Sequence, residues 1–281
     1  MKQCKNCERS LSEAAIYCET CGAKYVDHRL TMRYLAEESS RSFFNIDANK
    51  PVRTFIDLFK RPEAVIDGYI SGIRKRYIHV IGYFTIALTI SGFFMFVLQK
   101  WAPDLFNNIY TTIYDTEAQA EAFKEWMSFT FEYQSLIIFL TIPLLAGISK
   151  LVFLRNKRYN YTEHLVINTY AYSHASIFST LLYFATFWNQ TAFGYLAVSI
   201  LPIQIIYFSY VLKRLFRLSW KQLLLKILLF LLVLLVVYIV LIILGTIYMM
   251  FFTDIFQEMM EMEKAKRGVS YMVSSAINWT S

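Results

Sequence analysis

Gln222–Phe252 reads QLLLKILLFLLVLLVVYIVLIILGTIYMMFF, a stretch whose one charged side chain is Lys226. About 30 Å of hydrocarbon is crossed by roughly 20 helical residues. This segment therefore spans a bilayer with length to spare, and is expected to tilt or to project beyond it. Lys226, near its start, can snorkel to the interface. No soluble core of a 281-residue chain needs a helix that is apolar on every face, so this run decides the class of fold.

Upstream, four more apolar runs reach the same length, at about 77–98, 135–154, 165–188 and 193–212. Together with 222–252 they predict an all-α polytopic membrane protein of five transmembrane helices over 77–252. Only Asn189-Gln190-Thr191-Ala192 separates the third and fourth runs, which predicts a tight antiparallel hairpin. Pro143 and Pro202 fall inside the second and fourth, where they are expected to kink or locally unwind the helix. The first span is expected to serve as the uncleaved targeting signal.

Charge sets the predicted orientation. Fourteen Lys and Arg precede the first span, ending in Arg74-Lys75-Arg76. The connection 99–134 has Lys100 and Lys124 against Asp104, Asp115, Glu117, Glu121, Glu125 and Glu132. Lys150, Arg155, Lys157 and Arg158 follow the second span, and Lys213, Arg214, Arg217 and Lys221 follow the fourth. The tail, 253–281, is again acidic, with Asp254, Glu258, Glu261 and Glu263 against Lys264, Lys266 and Arg267. Basic and acidic connections alternate, which predicts a cytoplasmic N-terminus, an outer 99–134 connection and an extracytoplasmic C-terminus. The net charge of +7 then sits on inner connections facing anionic lipid, and needs no nucleic acid to explain it.

All four cysteines lie in residues 1–27, as Cys4-Lys5-Asn6-Cys7 and Cys18-Glu19-Thr20-Cys21-Gly22. Each CxxC turn can offer two thiolates to one metal, and two turns complete the S4 shell that structural zinc prefers. We therefore expect a small zinc ribbon holding one Zn2+ per chain. The ten residues between the hooks cannot build a core, so metal binding must supply most of the folding free energy. Gly22 suits the end of a knuckle, where positive φ is often needed. Two disulfides or a redox pair are the rival readings: the first needs an oxidising compartment, the second a βαβ setting that is not visible. With four protein ligands the metal would have no open position, which points to structure rather than catalysis. Glu8, Glu13 and Glu19 interrupt the basic residues here, so nucleic acid is not the expected partner.

Between ribbon and membrane, 28–76 forms a basic, amphipathic neck. Phe55, Leu58 and Phe59 before Pro62, and Val65, Ile66, Tyr69 and Ile70 after it, recur at helical spacing. Two short helices broken at Pro62 could lie in the inner-leaflet interface, with Arg53, Lys60, Arg61, Arg74, Lys75 and Arg76 on anionic lipid. The same stripes could equally pack on the cytoplasmic ends of the bundle.

CKNC, YCETCG, TFIDLFKRPEAVIDGYISGIRKRYIHVIGYF and YNYTEHLVINTYAYSHASIF resemble a family of bacterial membrane proteins grouped as domain of unknown function 3667. The resemblance covers most of the chain. It implies an N-terminal metal-binding ribbon on Cys4, Cys7, Cys18 and Cys21, a basic run before the first span and a bacterial source, and it brings no known activity from which a catalytic role could be carried over. From the third span onward the chain is also similar, at a coarser level, to the five-helix Yip1-type fold.

Polar residues within spans are the remaining functional candidates, because lipid makes them costly. Glu163, His164, Asn168 and His174 could line a polar site open to the cytosol, joined by His79 or Gln204. Alternatively, Glu163 caps the third helix and the others bond neighbouring helices. No HExxH, P-loop, GxSxG or dinucleotide glycine pattern occurs. The favoured expectation is a non-enzymatic scaffold or adaptor, in which ribbon and neck bind a cytosolic protein or lipid and the helices anchor and self-associate. A small transporter or channel component, and an inner-leaflet lipid-modifying enzyme, stand as alternatives.

Overall fold

The computed structural model describes residues 2–42, 49–102, 128–130 and 132–252. The outer connection, apart from its ends, and the tail from 253 lie outside the described residues. The chain divides into two units, Met1–Ile227 and Leu228–Ser281.

The first unit opens with two very short strands, β1 (Lys2–Gln3) and β2 (Ser10–Leu11), paired antiparallel with Lys2 opposite Leu11. Helices follow: α1 (Met32–Ser42), α2 (Asn49–Lys60), α3 (Pro62–Ser71), α4 (Val80–Trp101), α5 (Gln134–Val152), α6 (Tyr161–Thr186), α7 (Gln190–Phe216) and the start of α8 (Trp220–Phe252). The apolar runs therefore become helices with shifted ends, and caps account for the shifts. His79 accepts the Ile81 amide and starts α4 there rather than at 77. Asn160 and Glu163 form a capping box that starts α6 four residues before its apolar run. Asn189 caps α7 directly after α6 ends, giving the tight hairpin. Both α5 and α7 continue through their internal prolines, Pro143 and Pro202.

Contacts fix the directions. Tyr83 meets His174, Ser91 meets Thr180 and Phe94 meets Phe184, so α4 runs parallel to α6. Ser149 meets His164 while Ile138 shares an apolar cluster with Tyr172, so α5 runs against α6. Gln204 with Ser179 and Phe216 with His164 set α7 antiparallel as well. The result is an up-down-up-down bundle with α6 at its centre. Because Tyr83, in the first turn of α4, sits level with His174, roughly the first 15 Å of α6 extends past the start of α4. That extension is covered by the neck: Tyr170 donates to the Ile78 carbonyl at 2.7 Å and its ring packs on Tyr69.

Among the described residues, four helices are long and apolar enough to cross a membrane: α4, α5, α7 and α8 over Trp220–Leu244. The expected third span, α6, does not join them on apolarity, although its 26 residues make it about 39 Å long. Burial explains this. Thr162, Glu163, His164, Asn168, Thr169, Ser173, His174, Ser179 and Thr180 are all buried in protein, so the polar side chains of α6 meet neighbouring elements rather than the surroundings of the bundle.

The neck helices break at Arg61-Pro62, with proline in the first turn of α3 where its missing N–H costs nothing. Gly72, at φ 106°, ends α3 in the left-handed conformation. The predicted stripes divide between buried and exposed positions. Leu58, Val65, Ile66 and Tyr69 are buried against the bundle, Phe55 and Ile70 are half-buried and Phe59 is 38% exposed; Val52 and Ile56, outside those stripes, are exposed at 61% and 43%.

The second unit carries α8 from Leu228 onward, a continuous helix whose described side chains are apolar and exposed or half-exposed on every face. Such a helix requires an apolar medium around it.

Candidate metal centre and basic neck

Two knuckles of the same design build the cysteine cluster. In the first, the Glu8 amide donates to the Cys4 carbonyl at 2.8 Å and the Cys4 amide to Arg9. In the second, the Gly22 amide donates to the Cys18 carbonyl at 2.6 Å and the Cys18 amide to Ala23. The residue after each hook is left-handed, Glu8 at φ 63° and Gly22 at φ 61°. The turns face each other, placing Cys4 Sγ 3.7 Å from Cys21 Sγ and Cys7 Sγ 3.6 Å from Cys18 Sγ, with all four sulfurs within 4.8 Å. A tetrahedron with metal–sulfur bonds of about 2.3 Å has edges of about 3.8 Å, so the cluster has the size of an S4 metal site. All four are free thiols.

The electrostatics also fit a cation. The Cys21 backbone amide leads the groups that pull Cys18 down to about 6, with the Thr20 amide and Cys7 helping against desolvation. Cys7 is pushed up to about 12: the Arg9 amide works the other way, but desolvation and three adjacent thiols prevail. Cys7, beside three other sulfurs, thus resists ionisation by itself, and a divalent ion would remove that resistance.

The ribbon does not hang free on its neck. Arg29, just beyond it, places Nε 3.0 Å and Nη2 2.9 Å from the two carboxylate oxygens of Glu163, and Nη2 also reaches the Arg158 carbonyl. The Asn160 side-chain amide donates to the Leu30 carbonyl at 2.9 Å. The same two residues that cap α6 therefore hold the chain leaving the ribbon. On the other side, a β-carbon on Gly72 would meet Val26 Cβ at 3.3 Å, so ribbon and α3 are in close contact.

A second set of groups ties α1 and α3 to α4. Arg74 stacks on Tyr69 at 3.8 Å and lies 3.0 Å from Glu38. Burial raises the Glu38 carboxyl, against the pull of Arg74. Since His79 Nδ1 accepts the Ile81 amide, its Nε2 carries the proton and donates to the Tyr69 hydroxyl at 2.6 Å. Burial, then Arg74, lowers His79 to about 4 and keeps the ring neutral.

The six basic residues expected on lipid have different surroundings. Arg74 is committed to Tyr69 and Glu38. Arg61 spans both oxygens of Asp57 at 3.1 Å, and Tyr77 donates to the same carboxylate at 2.8 Å. Lys60 is exposed at the end of α2, and Arg53, Lys75 and Arg76 are exposed beside a common cavity. Glu63 and Asp67 bind α3 to the bundle through Arg214 and Arg158.

The four polar candidates on α6 face different neighbours. Glu163 caps the helix and binds Arg29. His164, fully buried, shares a 2.9 Å bond with Ser149 among the rings of Phe153, Tyr159 and Phe216. Asn168 donates back to the His164 carbonyl at 2.8 Å. His174 pairs with the Tyr83 hydroxyl at 2.9 Å and packs on Phe59 and Phe55 of α2. Of the two residues expected to join them, His79 turns to Tyr69 and Gln204 to Ser179. The sequence reading missed Arg29, Asp57, Tyr77, Tyr83 and Tyr170. For Asn160, an N-x-x-E pattern before an apolar run was the available signal.

These features define a helical protein with membrane-type spans and an N-terminal cysteine cluster that could bind metal, joined by a basic neck packed on the bundle. Residues 49–92, comprising α2, α3 and the first half of α4, match the model of a family described as protein of unknown function (DUF3667). No curated protein and no solved structure matches the chain.

Proposed function

We propose that the protein is a membrane-anchored scaffold: a zinc-folded ribbon and basic neck held rigidly at the inner face of a bacterial cytoplasmic membrane, there to bind a cytosolic protein or anionic lipid. The observation that carries this reading is the clamp of Arg29 and Leu30 onto Glu163 and Asn160. A head merely tethered by 28–76 would need none of it, whereas a docking platform needs a fixed orientation toward the membrane. On this reading α6 is the fifth span, protected by its neighbours, and the basic connections before α4, after α5 and after α7 face the cytoplasm.

Zinc is the ion we assign to Cys4, Cys7, Cys18 and Cys21, on the thiolate donors and tetrahedral spacing. Its contribution would be structural, with the chain's own residues making the contacts. A conducting path along α6 has less support, because His164 and His174 lie roughly 15 Å apart along the helix and face different partners. The test is in-cell crosslinking of the full chain against Cys4→Ser/Cys7→Ser. The variant should insert normally, lose its zinc and lose a specific crosslinked cytosolic protein. A crosslinking pattern unchanged by zinc loss would overturn the scaffold reading. Metal analysis should find about one zinc per chain.

A further inference from the structure

We infer that the cleft between ribbon and α2 is a binding site for one anionic phospholipid, with the phosphate in the cleft and the acyl chains along α2. This deepens the platform reading and rests on it.

The cleft is an open cavity of about 890 Å3, lined by Asn6 of the ribbon, Val52, Arg53 and Ile56 of α2, Arg61 at the break before α3, and the Lys75-Arg76 turn. Four cations border it against one carboxylate, Asp57. Both oxygens of that carboxylate are already taken by Arg61 and Tyr77. Among the described residues, no carboxylate lies within ion-pair distance of Arg53, Lys75 or Arg76. Three cations thus border one cavity with no carboxylate of their own, and a phosphate there would supply the counter-charge. Asn6 adds a complementary group. Its amide bonds Cys21, and its Oδ1 is buried without a partner beside the cavity.

The apolar part of the site separates a lipid from a free anion. Val52 and Ile56 line the cavity and, with Phe59, form one stripe at i, i+4 and i+7 that the protein leaves exposed. The far end of the stripe is fixed to the membrane helices: Tyr210 of α7 donates to the Phe59 carbonyl at 3.0 Å, and the Phe59 ring lies on Phe178 of α6. A cationic cleft thus continues into an apolar strip that ends at the spans. That is the profile of an interfacial helix recognising an acidic headgroup.

Full-length protein in detergent, cysteines intact, is titrated with short-chain phosphatidylglycerol, phosphatidylcholine and inorganic phosphate. Phosphatidylglycerol should bind at least ten-fold more tightly than phosphatidylcholine. Arg53→Ala/Lys75→Ala/Arg76→Ala should weaken it ten-fold or more while keeping the wild-type melting temperature and metal content. If that variant misfolds, Arg53→Gln alone should weaken binding at least three-fold. Val52→Ser/Ile56→Ser should weaken the lipid and leave phosphate unaffected. Equal binding of the two lipids, unchanged affinity in the arginine and lysine variants, or displacement by phosphate at matching concentration would overturn the assignment. Detergent removes any dependence on sidedness or on a protein partner, so failure here and failure of the crosslinking test are separate results.

Discussion

Glu8 and Gly22 hold equivalent places in the two knuckles and share the same left-handed backbone, yet one has a β-carbon and the other does not. Substitution at the two sites should therefore act with opposite sign. For Gly22→Ala, the new β-carbon would meet Lys75 Nζ at 2.8 Å, the end of a flexible chain that can swing aside. The backbone term is left to decide, at roughly 1–2 kcal/mol for an L-residue in this conformation. If metal supplies the ribbon's folding free energy, as the zinc assignment proposes, the penalty should appear in metal affinity, as a loss of about 5- to 30-fold. Glu8→Gly removes a similar strain but adds about 0.5–1 kcal/mol of chain entropy, so it should tighten binding by roughly two- to five-fold. Competition between the full-length protein and a chelating zinc indicator reads both. Unchanged affinity in Gly22→Ala, or weaker binding in Glu8→Gly, would show that the knuckle geometry does not control the metal.

Three further outcomes are expected. Glu163→Gln weakens both the α6 cap and the Arg29 clamp, at about 1–3 kcal/mol for the charged hydrogen bonds lost; limited proteolysis should then cut near residues 28–31, where the wild-type chain resists. Asp57→Asn leaves the Tyr77 bond uncharged and should lower the melting temperature at pH 7. Desolvation raises the Asp57 carboxyl, but Arg61 and Tyr77 outweigh it and hold it below the usual range. Its stabilisation is thus present at neutral pH and lost as pH falls below about 4, so the wild type should converge on Asp57→Asn in acid melts and diverge above that. Metal removal by chelator should leave the far-ultraviolet helical signal nearly intact while opening the 28–31 segment to protease, and loss of helix would contradict the division between ribbon and bundle.

What could be read in advance was whatever short-range chemistry records. Two CxxC hooks announce a metal cluster, and a glycine after the second announces its turn. Glu8 gives no such notice, because nothing about glutamate marks a left-handed position. Apolar runs announced the spans, but α6 starts on Asn160, Thr162 and Glu163, polar residues that a search for lipid-compatible length passes over. Arg29 and Glu163 are 134 positions apart, and Tyr83 and His174 are 91 apart. Pairings that distant leave no local pattern. The neck was ambiguous for a different reason: one helical period served both readings, and only the packed fold separates buried Leu58 and Val65 from exposed Phe59.

The clamp on α6 also has a consequence in time. Arg29 leaves the ribosome 134 residues before the carboxylate that receives it. At about 5–20 residues per second the ribbon waits roughly 7–27 s for its seat. On the scaffold reading, metal would keep those first turns folded through that interval, while α4 and α5 emerge ahead of α6. Docking closes only after α6 has emerged and been capped, so the finished clamp records that the central helix was in place.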